Sequence, residues 1–323
     1  MKQTARLAIV CMAVLSFSGY AHNVTIPKDI NEMSLNKVTD NVYVVHGTRS
    51  MPDKANKGFI SNSGFVVSDE GVVIVDTGGS LQIGEMLLQK ISEVTDKPVI
   101  AVFNTHIHGD HWMGNAAIRN AYPEARIYAH ERAIERLQNG EAEQWLDIFM
   151  QSTDGAIEGT KTVLPDNALK GGESIEAAGT TFRIHHTGKA HTDNDIMIEY
   201  PEHKTLFAGD IVIYGSTVSG ARPQDFSATG QIAAVEYALE LPVDIYVPGH
   251  GPTGGREIPE ATKRFLDILY QSVQNYYDEG LADFEMRDQV VADLAEFSDW
   301  SGFDQIGRLI SYVYQQVEAA EFE

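Results

Sequence analysis

The run Asn104-Thr105-His106-Ile107-His108-Gly109-Asp110-His111 places three imidazoles and one carboxylate between positions 106 and 111. It follows Pro98-Val99-Ile100-Ala101-Val102-Phe103, a continuous apolar stretch that reads as a buried strand stopping at Asn104-Thr105. Side chains alternate along a strand, so His106 and His108 are expected on one side, where both rings can reach a single ion. Asp110 and His111 then fall in the turn, aimed at a neighbouring point, with Gly109 and Gly114 allowing the tight backbone this requires. Imidazole and carboxylate together suit metal binding, and they serve zinc as well as iron or manganese.

The rest of the composition agrees with such a site. Lys2 and Arg6 precede an apolar run from Leu7 to Phe17, which ends in Gly19-Tyr20-Ala21. This pattern predicts a signal peptide over residues 1–21, cleaved after Ala21, because the run is shorter than the ~20 residues a membrane span needs. The expected mature protein is periplasmic or secreted, without membrane attachment. Cys11 is the only cysteine and lies inside the removed segment, so neither a disulfide nor a thiolate ligand remains. The formal charge is 24 minus 46, or −22, and becomes 22 minus 46, or −24, once Lys2 and Arg6 are gone. That balance offers nucleic acid no basic footprint and disfavours polyanionic substrates. A small neutral or weakly charged substrate fits, since divalent cations inside a pocket outweigh distant surface charge.

Several elements must position the cluster. Val42–Val45, Gly64–Val67 and Gly71–Val75 read as a β-meander, with the polar stretch Gly47 to Gly64 as a long mobile loop or hairpin able to overhang a site. A helix opens at Gly78-Gly79-Ser80 and runs through Leu87 to Val94, and a second spans Gly114 to Tyr122 before the strand Ile127–Ala129. Strand, helix, strand in that order predicts an α/β sheet. Glu131 to Gln151 reads as largely helical, with Trp145, Ile148, Phe149 and Met150 as a core or pocket-wall stripe. In the second half, Thr181–Ile184, Asp195–Tyr200, Thr205–Ala208 and Ile245–Val247 are expected strands, and Ser227 to Leu241 a helix. After Gly254-Gly255 the chain turns helical, with breaks near Gly280 and Ser298 to Gly302 that predict three helices. Leu266, Leu269, Tyr270 and Val273 form an apolar stripe that core packing explains, so nothing specifies an oligomer.

The cluster resembles the His-x-His-x-Asp-His signature of the metallo-β-lactamase superfamily. Three later segments extend the likeness in the family's order: Gly188-Lys189-Ala190-His191-Thr192, Phe207-Ala208-Gly209-Asp210 and Pro248-Gly249-His250-Gly251. The resemblance covers about Val38 to Pro252 and implies an αβ/βα four-layer sandwich at residues 22–255, followed by a C-terminal helical extension at 256–323. It implies two zinc ions, the first held by His106, His108 and His191, the second by Asp110, His111 and His250, with Asp210 at a strand end bridging them. Asp76, in a run like the family's Asp-Thr-Gly, is implied to support a metal-binding imidazole, against a rival reading as a helix N-cap. His130 reads as structural. His185 and His186, in tandem on a strand, point to opposite faces, and His22, His46 and His203 read as surface or turn residues.

The function so implied is a dinuclear zinc hydrolase in which a metal-bridging hydroxide attacks an ester, lactone, thioester or β-lactam, with Asp110 orienting it and carrying its proton. Typical lactamases use a cysteine or further histidine where this chain has Asp210, and place a lysine just after it. Asp210 matches the broader hydrolases, such as glyoxalase II and lactonases, although a glutathione thioester fits poorly with an acidic exported chain. The helical end, with Asp283-Phe284-Glu285-Met286 and Asp299-Trp300-Ser301-Gly302-Phe303, is similar to periplasmic members related to sulfur-oxidation and quinoprotein-associated hydrolases. A mononuclear iron sulfur dioxygenase on the same fold, which a single iron on metal analysis identifies, and a non-catalytic metal-binding protein are the rival classes.

Overall fold

The structure, a computed structural model, describes residues 30–217 and 222–322. The expected signal segment, Cys11 and His22 lie outside the described residues. A first sheet holds seven strands in chain order: β1 (Leu35–Lys37), β2 (Val42–Val45), β3 (Ser63–Val67), β4 (Val72–Val75), β5 (Val99–Phe103), β6 (Arg126–His130) and β7 (Asn167–Leu169). β1 to β4 form an antiparallel meander, and β4 to β7 run parallel. Parallel strands need crossovers, and helices supply them. α1 (Leu81–Ser92) joins β4 to β5, and α2 (Gly109–Trp112) with α3 (Asn115–Ala121) joins β5 to β6. The last crossover contains α4 (Glu131–Arg136) and α5 (Ala142–Ser152), separated by a π-turn where Gly140 takes φ 102°.

The second sheet has five strands, β8 (Ser174–Ala177), β9 (Thr180–His185), β10 (Met197–Tyr200), β11 (Thr205–Ile213) and β12 (Ile245–His250), in the order β12-β11-β10-β9-β8. Only β11 and β12 are parallel within it, linked through α6 (Ala228–Glu240). Phe103 and Val75 of one sheet meet Phe182, Ile198, Phe207 and Val247 of the other in a shared apolar layer. Outside the first sheet, Ile83, Leu87 and Ile118 of α1 and α3 cover Ile74, Val102 and Ile127. Outside the second, Ala234, Val235 and Ala238 of α6 cover Leu206, Ala208 and Tyr246. Helix, sheet, sheet, helix is the four-layer sandwich expected from the sequence.

Three C-terminal helices follow as expected: α7 (Glu257–Asp278), α8 (Asp283–Asp293) and α9 (Gly307–Ala320). Leu266, Leu269 and Val273 of α7 pack with Val290 and Val313, so the stripe is core. Gln316 of α9 reaches the sandwich, accepting from Ala228 N at 2.8 Å and donating to Phe226 O at 3.0 Å. Among the described residues no helix is long and apolar enough to cross a membrane.

Three expectations change. The stretch from Gly47 to Gly64 is packed rather than loose, with Phe59, Ser61 and Asn56 buried and the Asn56 amide donating to Met51 O at 2.9 Å. Ile148 is 44% exposed and leaves the buried stripe to Trp145 and Phe149. His46 is half-buried, its ring nitrogens meeting Asn36 at 3.1 Å and Thr253 at 3.0 Å. Burial pushes its pKa down to about 4. The unfolded chain therefore binds this proton below about pH 6.5 while the folded chain stays neutral until about pH 4, so stability is lost as pH falls through that window. His46→Gln is expected to flatten the fall in melting temperature between pH 7 and pH 5, as read by calorimetry at both values. An unchanged slope contradicts this assignment.

Candidate metal centre

β5 ends at Phe103, so His106 and His108 lie in a loop and not on the strand that the spacing suggested. Their convergence comes from how that loop is pinned. Asp76 accepts from Thr105 N and Thr105 Oγ1, both at 2.8 Å, Ile107 N donates to Asn194 Oδ1 at 3.0 Å, and Ile196 N donates to Thr105 O at 2.8 Å. Trp112 closes the turn by donating from Nε1 to Ile107 O at 2.9 Å. Asp110 and His111 sit on α2, whose Asp110 carbonyl accepts from Ser61 Oγ at 2.6 Å. Gly114 takes an ordinary helical φ of −70°; it is needed because a Cβ there runs into the Thr77 carbonyl.

The other three residues arrive from the second sheet. His191 is on an irregular loop braced by Asp195, which accepts from Thr192 N at 2.7 Å and Thr192 Oγ1 at 2.8 Å. Burial lifts the Asp195 pKa to about 7. Asp210 lies inside β11 rather than at its end, on a ladder irregularity at Gly209, which adopts φ +51° and packs against Thr105. A Cβ at Gly249 collides with the Asp210 carboxylate, so glycine is what lets β12 approach. His250 ends β12 and is oriented by its Nδ1, which donates to Ile60 O at 2.8 Å. Asn62 fixes that corner by donating to Pro248 O and Gly251 O, each at 2.8 Å.

All seven predicted residues come together. His106, His108, His191 and Asp210 form one group and Asp110, His111 and His250 another, each with its potential ligand atoms within 4.8 Å of one another. Asp210 stands between the groups: Oδ1 is 3.3 Å from His111 Nε2, while Oδ2 is 3.2 Å from His250 Nε2 and 3.4 Å from His191 Nε2. Asp110 Oδ2 lies 3.3 Å from His111 Nε2 and 3.4 Å from His250 Nε2. His106 Nε2, His111 Nε2 and Asp210 Oδ1 are buried and make no hydrogen bond. Each such orphan costs about 1–3 kcal/mol, which a cation between them offsets. The donor set therefore fits divalent metal.

Charge states agree. Burial keeps His106, His108 and His191 well inclined to neutrality, with neighbouring imidazoles adding to the effect, and at His108 the Arg222 charge acts in the same direction. Burial opposes ionisation of Asp110 and Asp210, yet His111 and His250 hold both carboxyls well below the usual range. Burial likewise opposes charge on His250, but Asp210 and Asp110 lift its pKa to about 10.

Asp76 is settled as a partner of His111, whose Nδ1 contacts Asp76 Oδ2 at 2.7 Å. The α1 N-cap is Ser80, accepting from Ile83 N at 3.3 Å, so the capping alternative for Asp76 falls. Asp76 takes a left-handed φ of +59°, a conformation that aspartate tolerates better than most residues. Asp76→Asn is expected to weaken metal affinity by about 10–100-fold, the range for partners that orient a metal-bound imidazole. Chelator competition on the purified variant measures this, and wild-type affinity contradicts the role.

The remaining described histidines stay outside the ligand groups. His130 caps α4, accepting from Arg132 N at 3.2 Å, and its ring packs tilted against His186 at 4.2 Å between centroids. His185 meets Glu199 at 2.9 Å, and His203 stacks on Tyr200. Sequence reasoning missed Thr105, Asn194, Asp195, Ser61 and Asn62, which hold the ligand loops. The only available signal was the polar run Thr192-Asp193-Asn194-Asp195 directly after His191.

The profile described as the metallo-beta-lactamase superfamily matches residues 56–250. A linear primary-alkylsulfatase of Pseudomonas sp. (strain ATCC 19151) is 23% identical over 260 residues, covering 70% of this chain and 49% of its own. A metallo-beta-lactamase type 2 of Bacillus cereus is 23% identical over 284 residues, covering 83% of this chain and 100% of its own. In structure, a sec-alkylsulfatase from Pseudomonas sp. aligns with TM-score 0.65 at 18% identity, over 88% of this chain and 50% of that one. The chain thus spans about half the length of both alkylsulfatases. The profile match covers most of the sandwich and every one of the seven converging residues, and the chain belongs to the metallo-beta-lactamase superfamily.

Proposed function

We propose that this protein is a hydrolase that holds two divalent metal ions, zinc being the expected element, and cleaves an ester, thioester, lactone or β-lactam bond in a small molecule. The observation that carries the reading is the convergence of six imidazole and carboxylate side chains around Asp210, with buried donor atoms left unpaired. His106, His108 and His191 are assigned to one ion and Asp110, His111 and His250 to the other, with Asp210 shared. Such a pair supplies Lewis acidity and brings the pKa of water towards neutrality.

The chain's own groups do the rest. Asp76 and Thr105 hold the His111 ring, while Ile60 O holds His250, so the imidazoles are oriented before substrate arrives. The Asp110 carboxylate, kept ionised beside His111 and His250, accepts the proton of the attacking water and returns it to the leaving group. Trp145, packed 4.9 Å from the His108 ring, and Phe149 wall off that side from water. An exported location and the division of the chain at residues 21 and 255 belong to the same reading.

A β-lactam is the first substrate class to assay, supported by the full-length match to the Bacillus cereus relative. A sulfate ester is the second, favoured by an alkylsulfatase likeness that covers 88% of the chain. The test is a hydrolysis screen of zinc-loaded protein across a β-lactam, a lactone, a thioester and an alkyl sulfate. Chelator-sensitive turnover of at least one class, restored by zinc, is expected. Its absence for every class contradicts the reading.

A further inference from the structure

We infer that Gln231 is a positioning residue whose buried side-chain amide holds Asp210 in its place between the two ligand groups. The inference rests on the two-ion reading above and names what fixes the ligand that those ions would share. Asp210 lies where β11 departs from its neighbour. Gly209 pairs with Pro248 and Ile213 with His250, so Asp210, Ile211 and Val212 stand opposite Gly249 alone. Pro248 has no N–H to offer, and buried carbonyls along such a break need donors from elsewhere.

Gln231, on α6, supplies one. Its Nε2 donates to Asp210 O at 2.7 Å and to Ile211 O at 3.2 Å, and these two acceptors fix which end of the amide is nitrogen. The side chain is fully buried, and its Oε1 has no hydrogen-bond partner. Burying half an amide unpaired works against folding. Packing alone therefore does not account for a glutamine on the buried face of α6, which otherwise carries Ala234, Val235 and Ala238.

The placement matters because the carboxylate serves both groups. Oδ1 is 3.3 Å from His111 Nε2, and Oδ2 is 3.2 Å from His250 Nε2 and 3.4 Å from His191 Nε2, so a small backbone shift at Asp210 alters its reach to each. The first turn of α6 also bears on the His191 loop: Ser227 N donates to Ala190 O at 2.8 Å, and a Cβ at Gly230 would run into Lys189 O. α9 steadies that turn, since Gln316 bonds both Phe226 O and Ala228 N. One helix end thus braces two ligands of the same group, His191 through backbone contact and Asp210 through Gln231.

The experiment follows zinc binding to the metal-free protein by chelator competition in wild type, Gln231→Met and Ala238→Gly. Methionine keeps the side-chain length and removes the donor, while Ala238→Gly weakens the same helix away from Asp210 and controls for general loss of stability. Gln231→Met is expected to bind its weaker zinc at least about 10-fold less tightly than wild type, the lower end of the range for groups that hold a metal ligand, and Ala238→Gly to stay within about twofold. The visible absorption of cobalt-loaded protein, which reports ligand geometry, is expected to shift in Gln231→Met alone. If Gln231→Met does not melt cooperatively, Gln231→Asn, whose amide falls one methylene short, is judged by the same criterion. Wild-type zinc affinity and cobalt spectrum overturn the inference and leave the two-ion reading intact, and an equal loss in Ala238→Gly overturns it as well. If wild type holds a single zinc, the two-ion reading fails; the positioning role then stands on a 10-fold loss for that ion in Gln231→Met and falls without it. If wild type binds no zinc, both fail.

Discussion

Asp210→Ala is expected to reduce turnover roughly 10³-fold or more and to leave less than one metal ion per chain. The carboxylate faces His111 through one oxygen and His191 and His250 through the other, so its loss removes a donor from both ligand groups at once. A bound metal contributes several kcal/mol of transition-state stabilisation, and each tenfold in rate is about 1.36 kcal/mol, which sets the scale. A ligand that binds only the folded chain raises its melting temperature, so added zinc should stabilise wild type and have little effect on this variant. A variant that keeps two ions and wild-type turnover refutes the bridging role.

Asp110→Asn probes a different step. Asparagine keeps the shape and one oxygen donor of Asp110, but it cannot take a proton from water at neutral pH. The expected result is a kcat lower by about 10²–10⁴-fold, the usual contribution of a general acid–base group, with zinc still raising the melting temperature. The pairing of lost turnover with retained metal response separates proton transfer from ligation. Turnover within a few-fold of wild type removes Asp110 from the chemistry.

Much of the site was legible because its residues are close in sequence or carry local marks. The spacing of His106, His108, Asp110 and His111 pointed to metal, although a pinned loop brings the rings together and not strand alternation. Gly209 before Asp210 and Gly249 before His250 entered only as parts of the family-like segments, and the structure gives each a steric reason. The supports were harder to see because hydrogen bonds with distant partners create them. His46 read as a surface or turn residue, yet Thr253, its partner, is 207 residues away along the chain. Gly47 to Gly64 read as mobile from its polar composition, but Asn62 and Asn56 spend that polarity on backbone groups. The strands β1, β7 and β8 span only three or four residues with little apolar content, so no periodicity announced them.

Metal content is the most direct test of the central claim, that the seven converging side chains form a two-ion centre. Elemental analysis of protein purified without added metal and then dialysed against zinc is predicted to find two zinc ions per chain, falling below one in Asp210→Ala. A single tightly held iron, unchanged by zinc, contradicts the account.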